Sequence, residues 1–528
     1  MKKRQVELYD TTLRDGSQME GMSLSVDEKL KIAVRLDQLG IHYIEGGWPG
    51  ANPKDTEFFQ EVRKFPFAKT KIAAFGSTRK ANIPAGQDKN LKALIESKAS
   101  TVTLVAKSSA FQVLKILETT LEENLAMISD SISFLKSQNV IPFLDAEHFF
   151  DGYKDNPEYS IECLKAAEIA GAERLILCDT NGGALPSEIE KIVGRLKKET
   201  SVPLGIHVHN DSELAVANSM TAWSSGVLQI QGTINGYGER CGNANILSII
   251  ANLKLKEGID CVTDDQLSQI TEASKYVSEI SNCPTPSSMP YVGENAFTHK
   301  AGLHAAAIIK QESSYQHEDP SLVGNIKHIL ISDLAGRGNI QYKLKELGLD
   351  KKISRDQSIE FLKHIKDKES KGFQYEGAEA SFELIALRTL EDYQAPFTLI
   401  DFIVTVNRNQ SSSEDSEAEI TSRATVNVKV DEETINSSAE GIGPVDALDN
   451  ALRKALLQFY PALEGVKLED YKVRVVDQGQ ATAATVRVLI ESVDGKQTWR
   501  TVGSSSNIIE ASWLALSDSI EWWLLKNS

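Results

Sequence analysis

Val202-Pro203-Leu204-Gly205-Ile206-His207-Val208-His209-Asn210 reads as a buried strand that finishes on two histidines two positions apart. Side chains alternate faces along a strand, so His207 and His209 point the same way, whereas on a helix they would diverge by about 200°. The apolar run before them selects the strand. An HxH pair alone is a weak signal, because ordinary strand residues supply it. Two neutral imidazoles joined by one carboxylate oxygen suit zinc, manganese or iron, with positions left open for a substrate. A matching carboxylate stands early in the chain, in Asp10-Thr11-Thr12-Leu13-Arg14-Asp15-Gly16, directly after the apolar run Val6 to Tyr9. There Asp15 can complete a metal site, and its neighbour Arg14 supplies a cation for an anionic substrate.

Outward from that strand, short apolar runs alternate with amphipathic helical stretches from Val6 to about Gly258. The strands are expected at Val6 to Tyr9, His42 to Glu45, Lys71 to Phe75, Thr101 to Ala106, Val140 to Leu144, Arg174 to Cys178, Leu204 to Val208 and Leu228 to Ile234. Helical patterns such as Val26 to Leu39, Leu121 to Gln138 and Ser160 to Ala170 lie between them, the last stopped by Gly171. Such a series has the size of one closed (β/α)8 barrel, about 250 residues. A doubly wound open sheet is the alternative.

In a barrel the C-terminal strand ends carry the chemistry. Arg14 and Asp15 follow the first strand, Glu45 ends the second, and Asp145 and Glu147 follow the fifth. Asp179 and Thr180 follow the sixth, and His207 and His209 end the seventh. After the eighth comes a glycine-rich loop, Asn235-Gly236-Tyr237-Gly238-Glu239-Arg240-Cys241-Gly242-Asn243. Singly, each has a plainer explanation, such as a helix N-cap for Thr180 or a surface carboxylate for Asp145. Their gathering at one end of the barrel favours a site.

No run of about 18 apolar residues is present, and the N-terminus lacks the apolar core of a signal peptide. Five cysteines in 528 residues, at 163, 178, 241, 261 and 283, make neither a disulfide framework nor a CxxC motif. A soluble enzyme of the reducing cytoplasm is expected. The net charge of −17 argues against nucleic acid as a partner. It leaves an anionic substrate open, since Arg14 and a metal act locally.

The length exceeds one barrel, because single cores stop growing at about 250–300 residues. We divide the chain into a barrel over 1–265, a helical linker subdomain over 266–390 that contributes to the active site, and a C-terminal α+β domain over 391–528. Cys283-Pro284-Thr285-Pro286-Ser287-Ser288 marks a hinge before the His299 to His304 segment, and Asp350 to Lys371 is charged. Gln410 to Asp415 reads as a mobile polar loop. In the C-terminal part Ala424-Thr425-Val426-Asn427-Val428 recurs sixty positions later as Ala484-Thr485-Val486-Arg487-Val488. Each copy runs through a second strand into a glycine turn, Gly441 to Pro444 or Gly503 to Ser506, and then a helix, Val445 to Phe459 or Ile508 to Trp523. Two ββα-like halves are the expectation.

Leu8 to Gly16 (LYDTTLRDG), the HVHN strand end, the Asn235 to Asn245 loop (NGYGERCGNAN) and His299-Lys300-Ala301-Gly302-Leu303-His304 together resemble the isopropylmalate, homocitrate and citramalate synthase family. The motifs occur in the expected order over nearly the whole chain. Ile44 to Asp55 (IEGGWPGANPKD) and Ala146 to Tyr153 look most like the longer citramalate branch; an isopropylmalate synthase more typically shows a VGFP-like stretch at Gly46 to Pro49.

The resemblance implies an acyltransferase that joins acetyl-CoA to a 2-oxo acid and hydrolyses the thioester. The acceptor would be pyruvate, on a route to isoleucine, with 2-oxoisovalerate or 2-oxoglutarate as the acceptors of the alternative branches. It implies a divalent metal (Zn, Mn or Mg) on Asp15, His207 and His209, with Asn243 as a further ligand, direct or through water. Arg14 would hold the ketone oxygen, while Thr180 and Asp145 would help bind the substrate. Glu147 matches the family's active-site glutamate and is the expected base, with His304 and Tyr315 completing a relay. Ala305-Ala306 follow His304 where some relatives carry an acidic residue. The C-terminal repeat would pair two subunits and bind an end-product amino acid, isoleucine; a pure dimerisation scaffold is the plainer alternative. A biotin-dependent carboxyltransferase would need a Met-Lys-Met attachment site. A hydroxymethylglutaryl-CoA lyase would use a loop cysteine, here Cys241, and has no evident use for the repeat.

Overall fold

The computed structural model describes residues 5–299, 304, 307–308, 311–329, 337–350, 352–375, 377–409, 419–476 and 484–527. Eight parallel strands succeed one another round a closed barrel: β1 (Glu7–Asp10), β2 (Tyr43–Glu45), β3 (Lys71–Ser77), β4 (Thr101–Lys107), β5 (Ile141–Glu147), β6 (Arg174–Asp179), β7 (Leu204–Val208) and β8 (Gln229–Gly232). Closure is explicit in the register, because β1 pairs with β2 through Tyr9↔Tyr43 and with β8 through Leu8↔Ile230. The open doubly wound sheet is thereby excluded.

Period-two alternation sorts each strand. Tyr9, Tyr43, Ala73, Phe143, Ile176 and Cys178 form one buried cluster, with the Tyr43 and Phe143 rings 5.4 Å apart edge to face. Leu8, Ile44, Ala74, Leu144, Leu175, Ile206 and Ile230 instead pack with the surrounding helices. The helices begin and end on local signals. Ser25 and Glu28 form a capping box on Val26–Gln38. Asn156 caps Pro157–Ala170, which Gly171 terminates at φ +99°.

One compact unit runs to Phe297 and takes in Glu318–Lys327; the other comprises Thr298–His317 and the chain from His328 onward. The first therefore passes residue 265. Helix Ile270–Ser281 buries Ile270, Ala273 and Val277 in the barrel's own apolar core, and Thr271 donates to the Val323 carbonyl.

In the second unit, helices Arg337–Glu346, Arg355–Ser370 and Glu379–Leu387 share a core that includes Ile340, Phe361, Ile365 and Phe382. Two antiparallel sheets follow, β9 (Thr398–Asn409) with β10 (Glu419–Val430) and β11 (Glu433–Gly441), then β12 (Lys467–Val475) with β13 (Val486–Val493) and β14 (Thr498–Ser505). Each leads into one helix, Pro444–Leu456 or Ile508–Asn527, and Val426, Leu448, Val488 and Leu516 meet in a common core. Each half is thus βββα, one strand more than the repeat suggested. The additional strands, β9 and β12, lie at sheet edges with apolar residues turned outward, Ile403 at 65% and Val475 at 51% exposure. That removes the in/out contrast on which a strand is recognised. The Gln410 to Asp415 loop, Lys300 to Leu303 of the HKAGLH motif, and Ala305-Ala306 lie outside the described residues.

Candidate active site and metal centre

The short segment after β1 is tied down before any chemistry is placed on it. Asp10 accepts from the Thr12 backbone N–H and hydroxyl, both at 2.9 Å. The same hydroxyl accepts from Ile234 N at 2.8 Å, so the first and last barrel loops are joined. Burial pushes the Asp10 carboxyl up to about 7.

That framework delivers Asp15 beside the β7 histidines. Asp15 Oδ2 lies 3.1 Å from His207 Nε2 and 3.8 Å from His209 Nε2, and the two imidazole nitrogens are 3.4 Å apart. One ligand atom from each of the three buried residues falls within 4.8 Å of the others. Burial disfavours the Asp15 carboxylate, but Arg14 and His207 outweigh it and hold the group well below the usual range. Burial and the neighbouring His207 press His209 down to about 4, so it stays neutral, the form that binds a metal.

Asn243 bridges to His209 along the backbone, and its Nδ2 donates to the Tyr237 carbonyl at 3.1 Å. Its buried Oδ1 has no hydrogen-bond partner among the described residues. An orphaned buried acceptor on a residue bridged to His209 fits a divalent cation. The glycines of the loop make room for it: Gly238 sits at φ +150°, where an added Cβ would overlap Asn243 Nδ2. Gly238→Ala should therefore displace Asn243 and weaken divalent-ion affinity by about tenfold, the low end for lost support of a metal ligand; titration against a chelator checks it.

The Arg14 guanidinium carbon lies over Phe75, 3.9 Å from the ring centroid, and its Nε donates to Glu45. Glu45 in turn accepts from the Tyr9 hydroxyl at 2.8 Å, and Tyr9 reaches Thr103 at 2.7 Å. Burial opposes the guanidinium charge, yet Glu45 and Asp15 secure it. The sequence placed Glu45 at a strand end without its partner; Tyr9 and Thr103 it missed, since both read as ordinary strand residues.

Glu147 ends β5 and pairs with Lys107, at the end of β4, a residue that carried no motif signal. The Thr180 hydroxyl accepts from His148 N at 2.8 Å, while Arg240 donates to the Thr180 carbonyl and to Asp211. Asp145 does not open to solvent. It accepts from Gln231 Nε2 at 3.3 Å, and burial raises it to about 7. His304 and Tyr315 belong to the second compact unit, where their rings stack with centroids 4.2 Å apart. Cys241 is exposed.

A closed (β/α)8 barrel that carries a carboxylate, two histidines and an arginine at its strand ends defines a barrel enzyme with a candidate divalent-metal centre. Residues 5–277 match the HMGL-like family, residues 291–372 the homocitrate synthase post-HMGL domain-like family, and residues 376–524 the LeuA allosteric (dimerisation) domain. The (R)-citramalate synthase of Geobacter sulfurreducens is 50% identical, over 99% of this chain and 98% of its own length. That of Aquifex aeolicus is 49% identical over the same shares. A 2-isopropylmalate synthase of Methanocaldococcus jannaschii is 32% identical over 99% of this chain and 95% of its own. The chain belongs to the HMGL-like acyltransferases, in their citramalate synthase family.

Proposed function

We propose that this chain condenses acetyl-CoA with pyruvate and hydrolyses the thioester, releasing (R)-citramalate and CoA, as a step towards isoleucine. The observation that carries the reading is the buried Asp15, His207 and His209 cluster with Arg14 alongside. A divalent ion held by those three residues and Asn243 would supply Lewis acidity towards the carbonyl of a 2-oxo acid; zinc, manganese and magnesium are the candidates.

The chain's own groups do the rest. Arg14, locked by Glu45 and Phe75, orients the ketone oxygen and offers charge where negative charge develops. The Thr180 hydroxyl, which accepts from His148 N, still has its proton to donate to the substrate carboxylate. Asp145 contributes indirectly, through Gln231 and His207. Glu147 is the group we assign to take a proton from the acetyl methyl group, and His304 and Tyr315 are assigned to the relay that returns a proton to the alkoxide formed at the ketone. The resulting carbon nucleophile attacks the ketone, and water then cleaves the thioester. Phe75, braced edge-on by Trp48 at 5.5 Å, places bulk beside Arg14, which supports a small acceptor.

Functionally we read the chain as a barrel to 265, a helical section to 390 and a section beyond it that pairs two copies and takes isoleucine as feedback inhibitor. The successive family matches support that division. At the first glycine turn, Ile442 N already donates to Asp446, which leaves the scaffold alternative standing there. Unpaired cysteines at all five positions support a reducing compartment, the cytoplasm. Among the described residues no helix is long and apolar enough to cross a membrane.

Rates of thiol release with acetyl-CoA and each of pyruvate, 2-oxoisovalerate and 2-oxoglutarate, with and without isoleucine, test the reading. Pyruvate should lead in kcat/KM by at least about tenfold. One methylene is worth only about 1–3 kcal/mol, so a tenfold lead for 2-oxoisovalerate would reassign the acceptor while leaving the condensation intact. Indifference to isoleucine in a dimeric enzyme would remove the regulatory part, which requires coupling between two sites.

A further inference from the structure

We propose that Gln231 is a positioning residue that fixes which nitrogen of His207 carries the proton, so that Nε2 keeps its lone pair for the divalent ion that Asp15 and His209 would share. The inference rests on the reading of those three residues as metal ligands. Gln231 lies on β8, wholly buried inside the barrel, with Oε1 2.9 Å from His207 Nδ1. A glutamine amide can face an imidazole with either end, and the rest of its surroundings decide which.

Here the orientation of Gln229 decides it. Gln231 Nε2 faces two oxygens, Asp145 Oδ1 at 3.3 Å and Gln229 Oε1 at 3.5 Å. Gln229 is oriented in turn, because its Nε2 donates to Glu7 Oε2 at 3.3 Å. Glu7 is clamped by Arg174 through two hydrogen bonds of 2.9 and 2.6 Å. Burial works against the Glu7 carboxylate, but Arg174 outweighs it and keeps the group an acceptor.

A polarity therefore runs up the inside of the barrel: Arg174 fixes Glu7, Glu7 fixes Gln229, and Gln229 with Asp145 fixes Gln231. The Gln231 oxygen must then accept from His207, which puts the proton on Nδ1 and frees Nε2. Histidines that bind metals almost always donate the other ring N–H, and loss of such a partner typically costs about 10–100-fold in affinity. By contrast, His209 Nδ1 is buried without a hydrogen-bond partner among the described residues.

The test measures the zinc dissociation constant of the full chain by competition with a chromophoric chelator, with thermal midpoints of the metal-free proteins as a control on folding. Gln231→Met removes the acceptor and should bind zinc about 10–100-fold more weakly. Gln231→Glu keeps an oxygen opposite Nδ1 and should recover a good part of that loss. Unchanged affinity in a folded Gln231→Met protein would overturn the proposal, as would equal weakness of the two variants, which marks mere packing. Should Gln231→Met fail to fold, long-range ¹H–¹⁵N spectra of the histidine-labelled, zinc-loaded parent decide, with the His207 signal assigned by its loss in His207→Ala. Nδ1–H with Nε2 on the metal is expected, and the reverse refutes it. A parent that binds no zinc, manganese or magnesium refutes the ligand assignment instead.

Discussion

Replacing His207 by alanine should lower turnover of acetyl-CoA with pyruvate by at least about 1000-fold, roughly 4 kcal/mol of transition-state stabilisation. The residue is one of only three buried metal-competent groups gathered within 4.8 Å among the described residues. Its loss leaves one carboxylate, one imidazole and the weaker amide oxygen of Asn243, a set that should hold a divalent ion far less tightly. Asp15 is affected as well, since its Oδ2 loses the neighbour at 3.1 Å that helps keep it ionised in a buried setting. Chelation of the parent enzyme should have the same effect, and an added divalent ion should restore the parent but not the variant. Thiol release, followed alongside circular dichroism to verify folding, makes the comparison. Full activity of His207→Ala and His209→Ala in metal-free buffer would sink the metal reading.

Glu147→Gln should retain pyruvate binding while kcat falls by about 100-fold or more, the usual scale for loss of a general base. Glutamine preserves the shape of the side chain and an oxygen for Lys107, which pairs with Glu147 across the ends of β4 and β5. The loss should therefore lie in proton removal, with KM for pyruvate little changed. Steady-state kinetics separates the two parameters. Near-normal turnover would transfer the role to His304 or Tyr315, and His304→Ala and Tyr315→Phe would then carry the loss.

Much of the barrel was legible from local pattern. Strands buried on both sides appear as short apolar runs, and the expected Leu204 to Val208 and Lys71 to Phe75 fall on β7 (Leu204–Val208) and β3 (Lys71–Ser77). The expected eighth strand, Leu228 to Ile234, is cut to Gln229–Gly232, because Thr233 and Ile234 turn away to bond the loops, Ile234 N to Thr12 and Thr233 N to the Ala244 carbonyl. The edge strands β9 and β12 were not read as such, for an exposed strand loses the burial contrast that marks the others.

The site divides along the same line. Residue chemistry and position after strand ends single out Asp15, His207 and His209 as candidates, and a side-chain period of two tells that the two histidines face the same way. That period cannot tell which inward-facing residues meet. Glu7 and Gln229 are 222 positions apart, Gln231 and Asp145 are 86 apart, and Arg14 and Glu45 are 31 apart. The first spans the closure of β8 on β1, the second joins strands three apart round the barrel, and the third joins the neighbours β1 and β2. Element order, burial and the kind of chemistry thus follow from the local succession of side chains. The pairing of Arg14 with Glu45, of Lys107 with Glu147, and of His207 with Gln231 follows from the register of neighbouring strands, which brings the two groups of each pair within 3 Å or so.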